Sequence, residues 1–283
     1  MSNLASSSKD RDSKRRDSRR GDPTRGDQYT TDDAFLGGRL RVLQSKSGYR
    51  AGLDAVMLAA AVPARPGERI VEAGIGAGAA ALCLASRIGG LAITGIEIEA
   101  GAAALARRNA ARNGFAETIK VLEADLARPG DAMRALGLEQ ASFDHAMANP
   151  PFYARAAARL PADPGKARAH MRDGELLERW MRLCAGLVRA RGTITMILPA
   201  ALLAEAMALF AGRTGALAIF PLFPREGAAA SRVIIQGVKG SRAAPRLMPG
   251  LVLHGMGSDF TPQAEAILRH GRAIEALAGA GIT

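Results

Sequence analysis

Four consecutive residues, Asn149-Pro150-Pro151-Phe152, combine two hydrogen-bond acceptors, two rigid rings and an aromatic face. An amino group conjugated to a purine is a poor nucleophile, and a site that activates it must localise the nitrogen lone pair by accepting both hydrogens. Asn149 offers its side-chain oxygen and Pro150 its carbonyl. The prolines fix φ and hold those acceptors still, while Phe152 can stack on the planar ring that carries the amine. Such a set needs no metal and no strong base: after in-line attack on a sulfonium methyl the nitrogen is cationic and sheds its proton to water. A second stretch, Glu72-Ala73-Gly74-Ile75-Gly76-Ala77-Gly78, carries glycines that let the backbone turn tightly and approach a cofactor closely. Taken alone it is ambiguous, because Gly74 to Ala79 also satisfies G-x-G-x-x-A, leaving nicotinamide and methyl-donor cofactors open. Glu97 stands where a carboxylate accepts from both ribose hydroxyls of either cofactor. Asp125 can accept from an adenine amino group or cap the next helix.

These residues need strand ends to position them, and the chain supplies such ends in order. Strands are predicted over Arg69–Ala73, Ala92–Ile98, Thr118–Ala124, Phe143–Ala148 and Thr193–Leu198. Helices are predicted over Ala79–Ile88, Ala100–Asn113 and Glu175–Val188, the last with apolar residues at 176, 177, 180, 184, 187 and 188 on one face. Strand and helix in alternation predict an α/β, doubly wound, Rossmann-like parallel sheet. Leu217–Phe223 and Arg232–Val238 follow each other without a helix between them, as suits an antiparallel pair at the sheet edge. Upstream, Phe35–Gln44 reads as a hairpin around Gly37-Gly38, and Leu53–Ala61 as a helix capped by Asp54. The fourth strand runs directly into Asn149, so the tetrad lies at the carboxyl edge beside the cofactor crevice. A nicotinamide oxidoreductase has no use for two prolines there, and the balance moves to a methyl donor.

The chain has 283 residues, 48% of them apolar, enough to bury a sizeable core. A net charge of +11 favours polyanionic partners. Residues 1–28 form a basic tail with almost nothing to bury, expected to be disordered, and residues 29–283 the folded domain. Beyond Asp27 the surplus persists, with 30 basic against 22 acidic residues. Tyr153–Arg172, with Arg155, Arg159, Lys166, Arg168, His170 and Arg172, reads as a basic lid or an ordinary mobile loop, and Arg225, Arg232, Lys239 and Arg242 as an extension of a basic track or a solvated edge. Two cysteines in apolar surroundings, Cys83 and Cys184, support neither a disulfide framework nor a thiolate metal site. No metal is expected. With no signal core and no apolar run of spanning length, the sequence reads as a soluble, cytoplasmic protein, with no membrane association and no obligate protein partner evident.

On these motifs the chain resembles the class I methyltransferases of the Asn-Pro-Pro-[Tyr/Phe] type, whose sheet has seven strands and which modify amino groups of adenine, guanine or glutamine. Within that group, Phe35-Leu36-Gly37-Gly38-Arg39, Gly48 to Val56, Lys239-Gly240-Ser241-Arg242 and Pro249 to His254 are similar to bacterial tRNA(Val) adenine-37 N6-methyltransferases. The resemblance implies S-adenosyl-L-methionine as cofactor, RNA, specifically tRNA, as partner, and a flipped anticodon-loop adenine as substrate. It assigns donor binding to Glu72, Gly74, Gly76, Gly78, Glu97 and Asp125, and catalysis to Asn149, Pro150, Pro151 and Phe152. Glu72 stands where many relatives have Asp, and Phe152 where Tyr is commoner. Ribosomal RNA guanine or a protein glutamine is the alternative acceptor. A non-catalytic RNA-binding module on the same fold is the alternative outside enzymology.

Overall fold

The computed structural model describes residues 29–125, 130–151 and 177–278. The tail 1–28, Phe152 and the basic segment 153–172 lie outside the described residues. An antiparallel hairpin opens the described chain, with β1 (Thr30–Phe35) paired to β2 (Leu40–Ser45) around a 3-10 turn at Leu36–Gly38; the turn falls at the glycine pair, but the first strand lies almost wholly before the expected Phe35–Gln44 span. Helix α1 (Leu53–Ala61) follows. Asp54 does not cap it: Gly52 occupies the N-cap without a side-chain bond, and Asp54 instead accepts from Arg232 Nε at 3.0 Å. A guanidinium brought in by the fold outcompetes the helix's own amides for that carboxylate.

Strand and helix then alternate: β3 (Arg69–Ala73), α2 (Ala79–Arg87), β4 (Ala92–Glu97), α3 (Ala100–Arg112), β5 (Ile119–Glu123), α4 (Gly130–Ala135), β6 (Phe143–Ala148), α5 (177–187), β7 (Val188–Pro199), α6 (Leu203–Ala211), β8 (Thr214–Arg225) and β9 (Arg232–Lys239). The chain closes with β10 (Arg246–Leu247), β11 (Leu251–His254), α7 (Pro262–Leu268) and α8 (Glu275–Ala278). In the sheet the order is β10-β8-β9-β7-β6-β3-β4-β5, parallel from β7 to β5. The expected antiparallel pair is present, β9 lying between β7 and β8. Two short strands, β10 and β11, add parallel to the outer side of β8.

Residues alternate across this sheet. Ile70, Ile93, Met147 and Ile234 face a layer built with α1, α2 and α3; Val71, Ile96, Met196 and Ile235 face a layer built with α5 and α6. The expected face of α5 is the buried one: Leu177, Trp180, Cys184 and Leu187 all pack into the second layer. Strand order reverses beside β3, between β4 on one side and β6 on the other, which opens a crevice at the carboxyl ends of these strands.

Candidate active site

Register fixes what meets at that crevice. Ala73 and Ala148 are paired across β3 and β6, so Gly74 and Asn149 leave adjacent strands at the same level. On the other side Ala73 pairs with Ile96, and Glu97 with Glu123, which brings Glu97 and the segment toward Asp125 to the same edge. All six expected donor-side positions and Asn149, Pro150 and Pro151 therefore lie on one rim.

The glycine loop is built from backbone conformations that side chains oppose. Gly74, Gly76 and Gly78 have φ of 65°, 56° and 87°. Ile75 N–H donates to the Ile96 carbonyl at 3.0 Å, and Gly76 N–H to Glu97 Oε2 at 2.8 Å. Glu97 Oε1 accepts from the amides of Ile98 and Glu99 at 2.9 and 3.0 Å. The Glu97 carboxylate is thus locked between the loop and the start of α3. Two of the glycines answer to different neighbours. A Cβ on Gly74 would run into the indole of Trp180, whereas a Cβ on Gly76 would meet nothing within 4 Å, so open space lies in front of that residue. Asn109 of α3 closes the back of the loop. Its Nδ2 donates to the Ala77 and Leu43 carbonyls, both at 2.9 Å, and its Oδ1 accepts from Leu43 N–H at 2.8 Å. Trp180 and Asn109 carry no motif, and only their tertiary neighbours reveal them.

Glu72 is buried and its Oε2 has no hydrogen-bond partner among the described residues. Burial pushes its carboxyl well above the usual carboxylate range; the Ala81 amide opposes this and the nearby Glu97 charge adds to it. A buried carboxyl oxygen left unpaired at the base of a glycine loop fits a ligand that brings a polar group to it. Open space before Gly76 fits the close approach of the same ligand. Asp125 lies two residues past β5 and is half-buried. Asn149 is half-buried, and its Nδ2 donates to the Tyr49 hydroxyl at 2.6 Å. The two cysteines take no part: burial pushes both thiols up to about 12. Among the described residues no group of three metal-ligating side chains occurs, and no helix is long and apolar enough to cross a membrane. Of the four cations noted near the last strands, three are engaged inside the fold. Lys239 Nζ donates to the carbonyls of Ala185 and Val188 at 2.6 Å, Arg232 holds Asp54, and Arg225 binds the carbonyl of Gly255 at 3.2 Å.

A parallel sheet with β9 inserted antiparallel between β7 and β8, and a glycine loop opposite Asn-Pro-Pro, define a Rossmann-like, S-adenosylmethionine-dependent methyltransferase. Residues 50–163 match the methyltransferase small domain family, and the chain belongs to the methyltransferases, being 31% identical to a solved methyltransferase of which it covers 97%. A crystal structure of a predicted O-methyltransferase from Agrobacterium tumefaciens is 31% identical, with a TM-score of 0.66, over 78% of this chain and 97% of that one. A tRNA1(Val) (adenine(37)-N6)-methyltransferase of Aeromonas hydrophila is 26% identical over 74% of this chain and 85% of its own length. One from Dickeya chrysanthemi is 31% identical over 59% of this chain and 64% of its own length.

Proposed function

We propose that this chain methylates the exocyclic amino nitrogen of a tRNA adenine, with Asn149, Pro150, Pro151 and Phe152 holding the acceptor base. The observation that carries the reading is the register of β3 and β6, which sets Asn149 level with the glycine loop at one sheet edge. On the donor side, Glu72 offers its unpaired Oε2, Gly76 gives room for close backbone approach, Glu97 receives a ribose hydroxyl on the lone pair left on Oε2, and Asp125 receives the adenine amino group. S-adenosylmethionine, when bound there, supplies an electrophilic methyl group on a sulfonium sulfur. Asn149 Oδ1 and the Pro150 carbonyl each accept one hydrogen from the substrate amine, which draws the nitrogen lone pair out of conjugation and aims it. The proton leaves to water once the nitrogen is cationic.

An amine has two hydrogens to give, and two fixed acceptors suit it. A hydroxyl acceptor, which the name O-methyltransferase implies for the Agrobacterium relative, leaves one of them idle. The tRNA substrates named for the Aeromonas and Dickeya relatives favour RNA over a protein glutamine, and the net charge of +11 agrees with a polyanionic substrate. An adenine in a single-stranded loop is also less costly to splay out than one in a duplex. Nucleoside mass spectrometry of total tRNA from a deletion strain tests the assignment. Loss of N6-methyladenosine supports it, and loss of N2-methylguanosine from ribosomal RNA instead would replace the substrate. Asn149→Ala is expected to abolish transfer while donor binding persists; unchanged turnover would remove Asn149 from the chemistry.

A further inference from the structure

An asparagine amide has two ends of nearly equal shape and opposite hydrogen-bonding sense. Turned one way it offers the substrate amine an acceptor; turned the other it offers N–H groups to a group that already bears N–H, and no hydrogen is accepted. Something must set the orientation, and at Asn149 the neighbour in place is Tyr49, whose hydroxyl accepts from Nδ2 at 2.6 Å across 100 residues of chain. With Nδ2 so engaged, Oδ1 is the end left for the substrate.

The segment that carries Tyr49 is held on both sides. Gln44, 2% exposed, grips the backbone of Ala51 through two bonds: its Oε1 accepts from Ala51 N–H at 2.7 Å, and its Nε2 donates to the Ala51 carbonyl at 3.1 Å. The same Nε2 donates to Asp33 Oδ2 at 2.8 Å, and Arg50 Nη2 donates to that oxygen at 2.7 Å. Beyond Gly52, Asp54 is tied to Arg232 at the start of β9. The hairpin thus anchors a short arm whose end is the phenol. The Tyr49 ring is 60% exposed, so the core gains little from it; its polar contact with Asn149 is the better reason for its place.

We propose that Tyr49 is a positioning residue that holds the Asn149 amide with Oδ1 toward the acceptor nitrogen. The proposal rests on the amine-methylation reading above. Methyl transfer from labelled S-adenosylmethionine to total tRNA of a deletion strain, measured with the full chain, tests it. Tyr49→Phe keeps the ring and removes the hydroxyl. It is expected to lower kcat about tenfold, equivalent to ~1.4 kcal/mol, with the KM for tRNA, the donor Kd and Tm unchanged. A carboxylate has no wrong way round, so in an Asn149→Asp background the same change should cost less than about twofold in kcat. Wild-type kcat in Tyr49→Phe, a loss confined to KM, or an equal loss in the Asn149→Asp background would each overturn the positioning role. Failure of the underlying reading looks different: the wild type itself then transfers no methyl to this tRNA, or Asn149→Ala turns over normally.

Discussion

Replacing Gly74 by alanine imposes two separate penalties. At φ of 65° an L-residue sits in the left-handed region, which costs about 1–2 kcal/mol. The new methyl would also enter the ring of Trp180, a side chain 6% exposed and packed among Leu177, Met181 and Cys184, and forcing a filled core to move costs about 1–3 kcal/mol. The sum, roughly 2–5 kcal/mol, is a large part of the ~5–15 kcal/mol that keeps a protein folded. At about 2–4 °C per kcal/mol it lowers Tm by at least about 4 °C. Trp180→Leu separates the two penalties, because shortening the side chain opens the space the methyl needs. In that background Gly74→Ala should cost only the conformational part, about 1–2 kcal/mol. Trp180 is the only tryptophan, so urea unfolding of all four proteins is best followed by far-ultraviolet circular dichroism rather than fluorescence. Costs that add within about 0.5 kcal/mol would refute the steric argument, since residues that do not touch behave additively.

Two predictions concern buried titrating groups. The folded chain holds the Glu72 proton more tightly than the unfolded chain, so its contribution to stability is full at low pH and is lost as pH rises through the raised pKa. Glu72→Gln should therefore raise Tm by more at neutral pH than near pH 4.5, while weakening donor binding roughly 10–100-fold by calorimetry; a Tm gain independent of pH would contradict this. His145 behaves oppositely. Burial lowers its pKa below 6.5 against the opposing pull of Glu68, so the neutral ring donates from Nε2 to Glu68 Oε2 at 2.9 Å and accepts the Thr193 hydroxyl at Nδ1 at 2.7 Å. Its contribution is present above 6.5 and lost as pH falls, so His145→Gln should flatten the decline of Tm between pH 7 and 5, and parallel curves for the two proteins would refute the assignment.

What the sequence shows of this molecule is what repeats or clusters locally. Strand and helix periods gave β3 to β6 and the buried face of α5, and the glycine run and the Asn-Pro-Pro run are legible because each is contiguous. Tertiary choices are not. Asp54 has the spacing of a cap, yet its partner, Arg232, lies 178 residues away. The reason Gly74 must be glycine is a tryptophan more than a hundred residues downstream. Tyr49 lies in a stretch that carries the resemblance but no chemistry of its own to read; the folded hairpin, gripping Ala51 through Gln44, carries it to Asn149. β10 is two residues long and carries no period to read.

The bond set of Asn109 bears on how the protein opens. The hairpin pairs with itself and shares no strand ladder with the main sheet, so side chains tie it to the rest: Asn109 bonds Leu43 twice and Ala77 once, Asn113 bonds the Arg41 backbone twice, Arg112 pairs with Asp32, and Phe35, Leu36, Leu40 and Val42 add apolar contacts. Such a unit can detach while the parallel strands stay protected, and its amides should exchange hydrogen faster than those of β3 and β6. Every detachment carries Tyr49 away from Asn149 and exposes the Ala77 carbonyl together. The Tyr49–Asn149 contact and the backing of the glycine loop would then be lost and regained as one event, at a free energy below that of unfolding the sheet.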